Sequence, residues 1–335
     1  MARLPASARS LPAPAPSFPA DIVGFRAALL AWFDRDGRAL AFRVARDPDP
    51  WAVLVSEVMA QQTQVGRVAE RWRGFMDRFP TPAALAEAPT GDVIRAWQGL
   101  GYNRRAIDLQ RAARAIVAAG GRVPDDVGAL RALPGVGPYT ARAVAAIAFG
   151  RPVGAVDVNV RRVLGRLARV DPAAGASLAP VAPIPPGEIQ AAADALVDPA
   201  RAADWTHSLM DLGATICRPA APACAACPVH AWCAFAAGAA RAAETAVARS
   251  TEVVATQPPK PARTPAVPFE ATTRWLRGRI VDRLCSAPPG TSLRFDGPLG
   301  LHAHAAVSAA LTALAADGLV ELDGAGAARL AGERP

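Results

Sequence analysis

Lysine is almost missing from this chain: Lys260 stands alone against 36 arginines in 335 residues. Heavy Ala, Gly and Pro usage points to a GC-rich genome, and codon bias accounts for the choice of Arg over Lys in the total. The absence still limits chemistry, because outside residue 260 no side-chain amine exists to form a Schiff base. Tyrosine is nearly as scarce, with Tyr102 and Tyr139 the two in the chain. No stretch of about 18 apolar residues is free of charge, which excludes a helical membrane span. The opening MARLPASARSLPAPAPSFPA has no continuous apolar block, so it does not read as a signal peptide. It reads as a disordered tail over residues 1–20, and the expected location is the cytoplasm. No convincing strand pattern precedes residue 250.

What is present is apolar, helical and basic. Hydrophobic residues make up 52%, ample for a core, and the length suits two domains with room for a further module. A net charge of +8 favours a polyanion such as nucleic acid. DIVGFRAALLAWFDRDG carries apolar residues at helical spacing and stops at a glycine. PWAVLVSEVMAQQTQVGRVAERWRGFMDRFP predicts two helices, and the segment from Thr81 to Gly121 predicts three short ones. LPGVGPYTARA, residues 133–143, is a glycine turn pressed against a helix start, and DVNVRRVLGRLARV predicts another helix. Residues 246–268 have linker composition. Beyond them, two helical patterns and a ribbon with a glycine turn predict a small winged-helix-like α+β module over 269–335.

Four of the five cysteines, Cys217, Cys224, Cys227 and Cys233, are separated by six, two and five residues. In an intracellular chain such clustering means metal rather than disulfides. Four thiolates suit zinc or an iron–sulfur cluster, and spacing alone does not choose. Cys285 reads as a small core residue.

Together these motifs resemble the helix-hairpin-helix DNA glycosylases that carry a four-iron, four-sulfur (4Fe-4S) cluster. Within that superfamily SEVMAQQTQV (56–65), GLGY (99–102), LPGVGPYTA (133–141), VDVNVRRVL (156–164) and MDLGATIC (210–217) look like the MutY-type adenine DNA glycosylases. The resemblance implies a mainly α fold: a glycosylase domain over 21–245 made of two helical subdomains. One is a six-helix subdomain (45–155) with the hairpin, the other an iron–sulfur subdomain (21–44 and 156–245). It also implies one 4Fe-4S cluster on the four cysteines.

The implied reaction breaks the N-glycosidic bond of an adenine flipped from the stack of double-stranded DNA, opposite 8-oxoguanine or guanine. Adenine leaves readily only when protonated, and the sugar then passes through a cation. One carboxyl group must donate a proton while another stays ionised. Glu57 and Asp157 stand at the family's two catalytic positions. Glu57 lies in the apolar stretch WAVLVSEVM, where burial is expected to raise its pKa. Tyr139 and Asn159 complete the implied site. Strand-cutting relatives place their Schiff-base lysine where Tyr139 stands, so a monofunctional enzyme is expected. Gln61, Gln62 and Tyr102 match intercalating and gap-filling residues. Gly135, Val136 and Gly137 of the hairpin, with Arg104, Arg105, Arg161 and Arg162, are expected at DNA phosphates. The expected protein is monomeric and makes no use of a membrane.

Departures exist. LAFR at 40–43 stands where the family usually has Leu-Pro-Trp-Arg, His207 precedes SLMDLG where an amide or acid is common, and Asn103 follows Tyr102. The C-terminal module does not read as the Nudix-like domain many members carry. The competing readings are an endonuclease III-like glycosylase/lyase for oxidised pyrimidines and a non-catalytic iron–sulfur DNA-binding protein. The lack of lysine opposes the first, and the pair Glu57 and Asp157 opposes the second.

Overall fold

The computed structural model of the chain describes residues 18–43, 48–168, 184–238 and 267–334. Most of the expected tail and linker, and the start of the 45–155 subdomain, lie outside them. The chain divides into two compact units, residues 1–37 with 152–254 and residues 38–151 with 255–335. This is not the expected division, because the C-terminal segment falls with the hairpin-bearing helices.

The unit containing the N-terminus is built on α1 (Ile22–Asp36), α9 (Val158–Leu167), α10 (Pro186–Leu196) and α11 (Ala202–Asp211). Asp21 caps α1 by accepting from the Gly24 amide at 2.8 Å, and Gly37 stops it. The core face is aromatic: Phe25 meets Trp205 edge-on at 5.7 Å between centroids. Arg26 donates to the carbonyls of Ala195, Leu196 and Val197, satisfying the open end of α10. After α11 the helix widens into a π turn over Leu212–Ile216 that delivers Cys217.

The other unit holds α2 (Pro50–Ala60), α3 (Val65–Arg78), α4 (Pro82–Glu87), α5 (Thr90–Ala96), α6 (Arg104–Ala118), α7 (Val127–Arg131) and α8 (Pro138–Phe149). Proline follows the caps Asp49, Thr81 and Gly137, where its missing N–H costs nothing. α2 is apolar nearly all round and packs on α3, α6 and α8. Gln110, 1% exposed, ties α6 to the α4–α5 turn. It donates to the carbonyls of Leu85 (3.1 Å) and Ala88 (2.7 Å) and accepts from the Thr90 hydroxyl (2.9 Å).

The same unit ends in α12 (Thr273–Ser286), α13 (His304–Ala316) and a ribbon of β1 (Val320–Leu322) and β2 (Ala328–Leu330). The strands are antiparallel, Val320 opposite Leu330, and the Glu321–Arg329 pair bonds across them at 2.8 Å. Two helices followed by a ribbon are the elements expected of this segment. Ile94 of α5 and Ile107 of α6 share one hydrophobic cluster with Leu276, Ile280, Leu311 and Leu330. The ribbon contributes the strands found among the described residues.

Candidate DNA-processing site

α7, the turn at 133–137 and α8 form a helix-hairpin-helix. Gly135 has φ +74°, and a Cβ there would lie 2.8 Å from the Cβ of Asp108. Glycine is required for both reasons. Val136 is buried beneath the turn and Gly137 caps α8 with open space around it. Gln61, at the C-terminal end of α2, donates to the Gly135 carbonyl at 3.3 Å and the Thr140 hydroxyl at 3.1 Å. So the hairpin is tied to the helix that carries Glu57.

Glu57 is 7% exposed and sits among Leu54, Val55, Val58 and Met59, all buried. The burial expected from WAVLVSEVM is present. Tyr139 stands half-buried on the first turn of α8, the helix packed on α2.

Gln62 (φ +53°) and Tyr102 (φ +46°) are the non-glycine residues with positive φ among the described residues. Left-handed backbone costs a side chain energy and concentrates where a tip must be presented. Tyr102 follows Gly99 (φ +91°) and Gly101 (φ +70°), so GLGY is a run of left-handed turns that raises the ring to the surface. The carbonyls under this loop are gathered by Arg105. Its guanidinium donates to Val58, Met59, Gln61, Leu100 and Gly101 and to the Thr63 hydroxyl. Burial pulls its pKa down to about 10. Arg105, expected at a phosphate, is thus an internal staple. Arg104 is exposed and pairs with Asp317 at 3.0 Å.

In the other unit Asp157 caps α9. One carboxylate oxygen accepts from the Val160 amide at 2.7 Å and the other from the Asn159 side-chain amide at 2.9 Å. The Asn159 oxygen accepts in turn from Arg162 at 2.9 Å. Arg162 also donates to the Gly213 carbonyl (2.7 Å) and the Cys217 carbonyl (2.8 Å). A continuous line of bonds therefore joins the Asp157 carboxylate to the cysteine loop, and Arg162 too is internal rather than at a phosphate. Arg161 is exposed. One turn after Arg162, Arg166 donates to the Cys217 sulfur at 3.2 Å and the Arg218 and Pro219 carbonyls, both at 2.9 Å. The sequence reading missed Arg166. Its i,i+4 spacing from Arg162, which puts both on one face, was the available signal.

All four cysteines of the cluster are half-buried free thiols. Burial pushes the Cys227 thiol up to about 11, and the neighbouring Cys233, Cys217 and Cys224 add to the shift. Cys233 is raised for the same reasons. Among the described residues no three His, Cys, Asp or Glu side chains converge as a single ion would require. The departures also have places: His207 stacks on Phe33 at 6.4 Å, and Phe42 lies 6.5 Å from Trp72. No helix of the described residues is long and apolar enough to cross a membrane.

A family model described as the HhH-GPD superfamily of base excision DNA repair proteins matches residues 55–179. An adenine DNA glycosylase of Mycobacterium tuberculosis is 38% identical over 296 residues, 87% of this chain and 88% of its own length. A human adenine DNA glycosylase is 43% identical over 217 residues, 62% of this chain but 39% of its own length. The solved structure of a thermostable thymine-DNA glycosylase superposes with TM-score 0.57 at 28% identity, over 65% of this chain and 97% of the other. The hairpin fold and the helical units are thus those of a glycosylase superfamily.

Proposed function

The chain belongs to the adenine DNA glycosylases, and on that premise we propose that it is a base-excision-repair enzyme that hydrolyses the N-glycosidic bond of adenine mispaired with 8-oxoguanine or guanine. Its partner is double-stranded DNA, and the net charge of +8 suits that partner. The observation that carries the reading is a carboxylic acid, Glu57, buried in the middle of the apolar helix α2. Buried acids serve structural pairs or chemistry, and Glu57 stands in the motif whose resemblance assigns it the second.

In this reading Glu57 gives its proton to the adenine ring, and the glycosidic electron pair leaves with the base. Asp157, held as a helix cap with both oxygens bonded, stabilises the cation left on the sugar. Water then completes the hydrolysis. Asn159 orients Asp157, and Tyr139 hydrogen-bonds at the sugar. Gln61, Gln62 and Tyr102 hold the distorted duplex. The hairpin at Gly135, Val136 and Gly137, with Arg104 and Arg161, contacts phosphates. Cys217, Cys224, Cys227 and Cys233 would hold one 4Fe-4S cluster. The donor set fits, since all four side chains are half-buried cysteines free of disulfides, the thiolate ligands such a cluster takes. When bound, the cluster organises the loop from Cys217 to Cys233.

The test is excision from duplexes bearing adenine opposite 8-oxoguanine and opposite guanine, with alkali revealing abasic sites. Strand breaks should appear only after alkali, and borohydride should trap no protein–DNA adduct, because Tyr139 stands where an amine would be needed. Cleavage of oxidised-pyrimidine duplexes without alkali would overturn the reading in favour of a lyase. Purified protein should be yellow-brown and contain iron and sulfide, falling sharply in Cys227→Ser; one zinc per chain and no sulfide would reject the cluster.

A further inference from the structure

The C-terminal module reaches the GLGY loop through Arg274. Arg274, on the first turn of α12, lies with its guanidinium carbon 4.0 Å from the centre of the Tyr102 ring, and it donates to the Tyr102 hydroxyl at 2.7 Å. The two contacts use different parts of the tyrosine, the π face and the oxygen. Together they fix where the ring points. Tyr102 is 37% exposed on a left-handed backbone, and Arg105 stands farther from its ring than Arg274 does, at 5.7 Å from the centroid.

Tyr102 and Arg274 line one side of an open groove of about 820 Å³ that also takes in Gln62, Arg67 and Arg279. The charges in it are unbalanced. Asp317 is taken by Arg104 and Arg277, and Arg105 is taken by backbone carbonyls. Asp108 lies near Arg104 and Arg111, which leaves Asp282 as the remaining acid in the groove. Arg67, Arg274 and Arg279 line the groove with no carboxylate partner among the described residues. A groove with surplus guanidinium groups beside a presented aromatic ring is suited to a phosphodiester backbone whose base stack the ring enters.

We propose that Arg274 is a positioning residue for Tyr102, so that the C-terminal module takes a direct part in distorting the duplex, with the groove beside it holding the DNA backbone. This rests on the reading of Tyr102 as a DNA contact. It gives the module a role that carries no information about the base opposite adenine: Arg274 holds a wedge and neutralises phosphate.

The experiment uses the full chain and a duplex with 2-aminopurine next to adenine opposite 8-oxoguanine, read by stopped-flow fluorescence and by single-turnover excision at saturating protein. Arg274→Ala should slow both by about tenfold, the loss of a charged hydrogen bond and a ring contact. Arg274→Lys, which keeps the charge without the planar stack, should restore the salt dependence of binding but not the rate. Tyr102→Phe should fall between wild type and Arg274→Ala. In a Tyr102→Ala background Arg274→Ala should cost little more. Thermal unfolding near the wild-type value shows that the exposed Arg274 was removed without loss of fold.

Two results would overturn the proposal alone. One is a defective Tyr102→Ala beside an Arg274→Ala whose saturating rate and fluorescence are unchanged and whose salt slope has dropped by about one, the mark of a plain phosphate contact. The other is full additivity of the two alanine variants. A Tyr102→Ala that distorts and excises like wild type would instead reject Tyr102 as a DNA contact, and the proposal would fall with that reading.

Discussion

Glu57 and Gln110 are both polar side chains in apolar surroundings, and they serve different ends. Gln110 is knotted to two carbonyls and a hydroxyl of neighbouring turns. Gln110→Leu should lower stability by about 1–3 kcal/mol, the cost of leaving the buried carbonyls of Leu85 and Ala88 without a donor, and urea unfolding will show it. Glu57 sits inside α2, the helix packed on the one that carries Tyr139. Glu57→Gln keeps the shape and removes the transferable proton. Excision should fall by about a hundred- to ten-thousandfold while duplex affinity changes little. Near-normal single-turnover excision would remove Glu57 from the mechanism. The near-absence of lysine acts at this scale too: on the proposed reading residue 139 offers a hydroxyl where imine chemistry would need an amine.

The hairpin and α9 each work as an element rather than as separate residues. At the hairpin the turn depends on Gly135, whose φ of +74° and close approach to Asp108 both reject a Cβ. Gly135→Ala should cost about 1–3 kcal/mol of stability. It should also weaken binding to matched and mismatched duplexes alike, since a bent turn no longer aims its amides. A variant with unchanged melting temperature and affinity would show that the turn relaxes freely. On α9, Arg162 and Arg166 lie on one face and gather the carbonyls around Cys217. With the proposed 4Fe-4S cluster on this loop, Arg166→Ala should leave Asp157 capped but speed the loss of iron to a chelator, followed by absorbance.

At the scale of the molecule, the C-terminal module is part of the unit that carries the hairpin. Arg95 of α5 pairs with Glu333 at 2.8 Å, with side chains 16% and 5% exposed, and donates to the carbonyls of Cys285 and Ala287. The Glu333 carboxylate also accepts from the Gly290 amide at 2.8 Å. Its partnership with Glu333 is the largest reason that the Arg95 pKa is raised. Arg95→Ala leaves a carboxylate and two carbonyls short of donors in a nearly closed setting. Stability should drop by about 3 kcal/mol, toward the lower end of what breaking a buried pair costs. Because Ile94 and Ile107 share a core with the module, the loss should shift one cooperative transition rather than detach the module. Amides of α12 and α13 that lose their exchange protection before those of α5 and α6 would contradict this.

Local pattern alone determined the helices, the glycine turn of the hairpin and the clustering of the cysteines. Each depends on residues within a few positions of one another, so a 3.6-residue period or a short motif records it. The burial of Glu57 and the capping position of Asp157 were legible too, because both sit inside such motifs. What the sequence could not show was how arginines are used. Arg104, Arg105, Arg161 and Arg162 look alike in a string, yet Arg105 and Arg162 are half-buried and bonded to the protein's own carbonyls while Arg104 and Arg161 face solvent. Arg95 and Glu333 are 238 positions apart and Arg274 and Tyr102 172, and no local spacing encodes such pairs. Tertiary structure decided them, because a guanidinium takes whatever acceptors the folded chain brings within its reach.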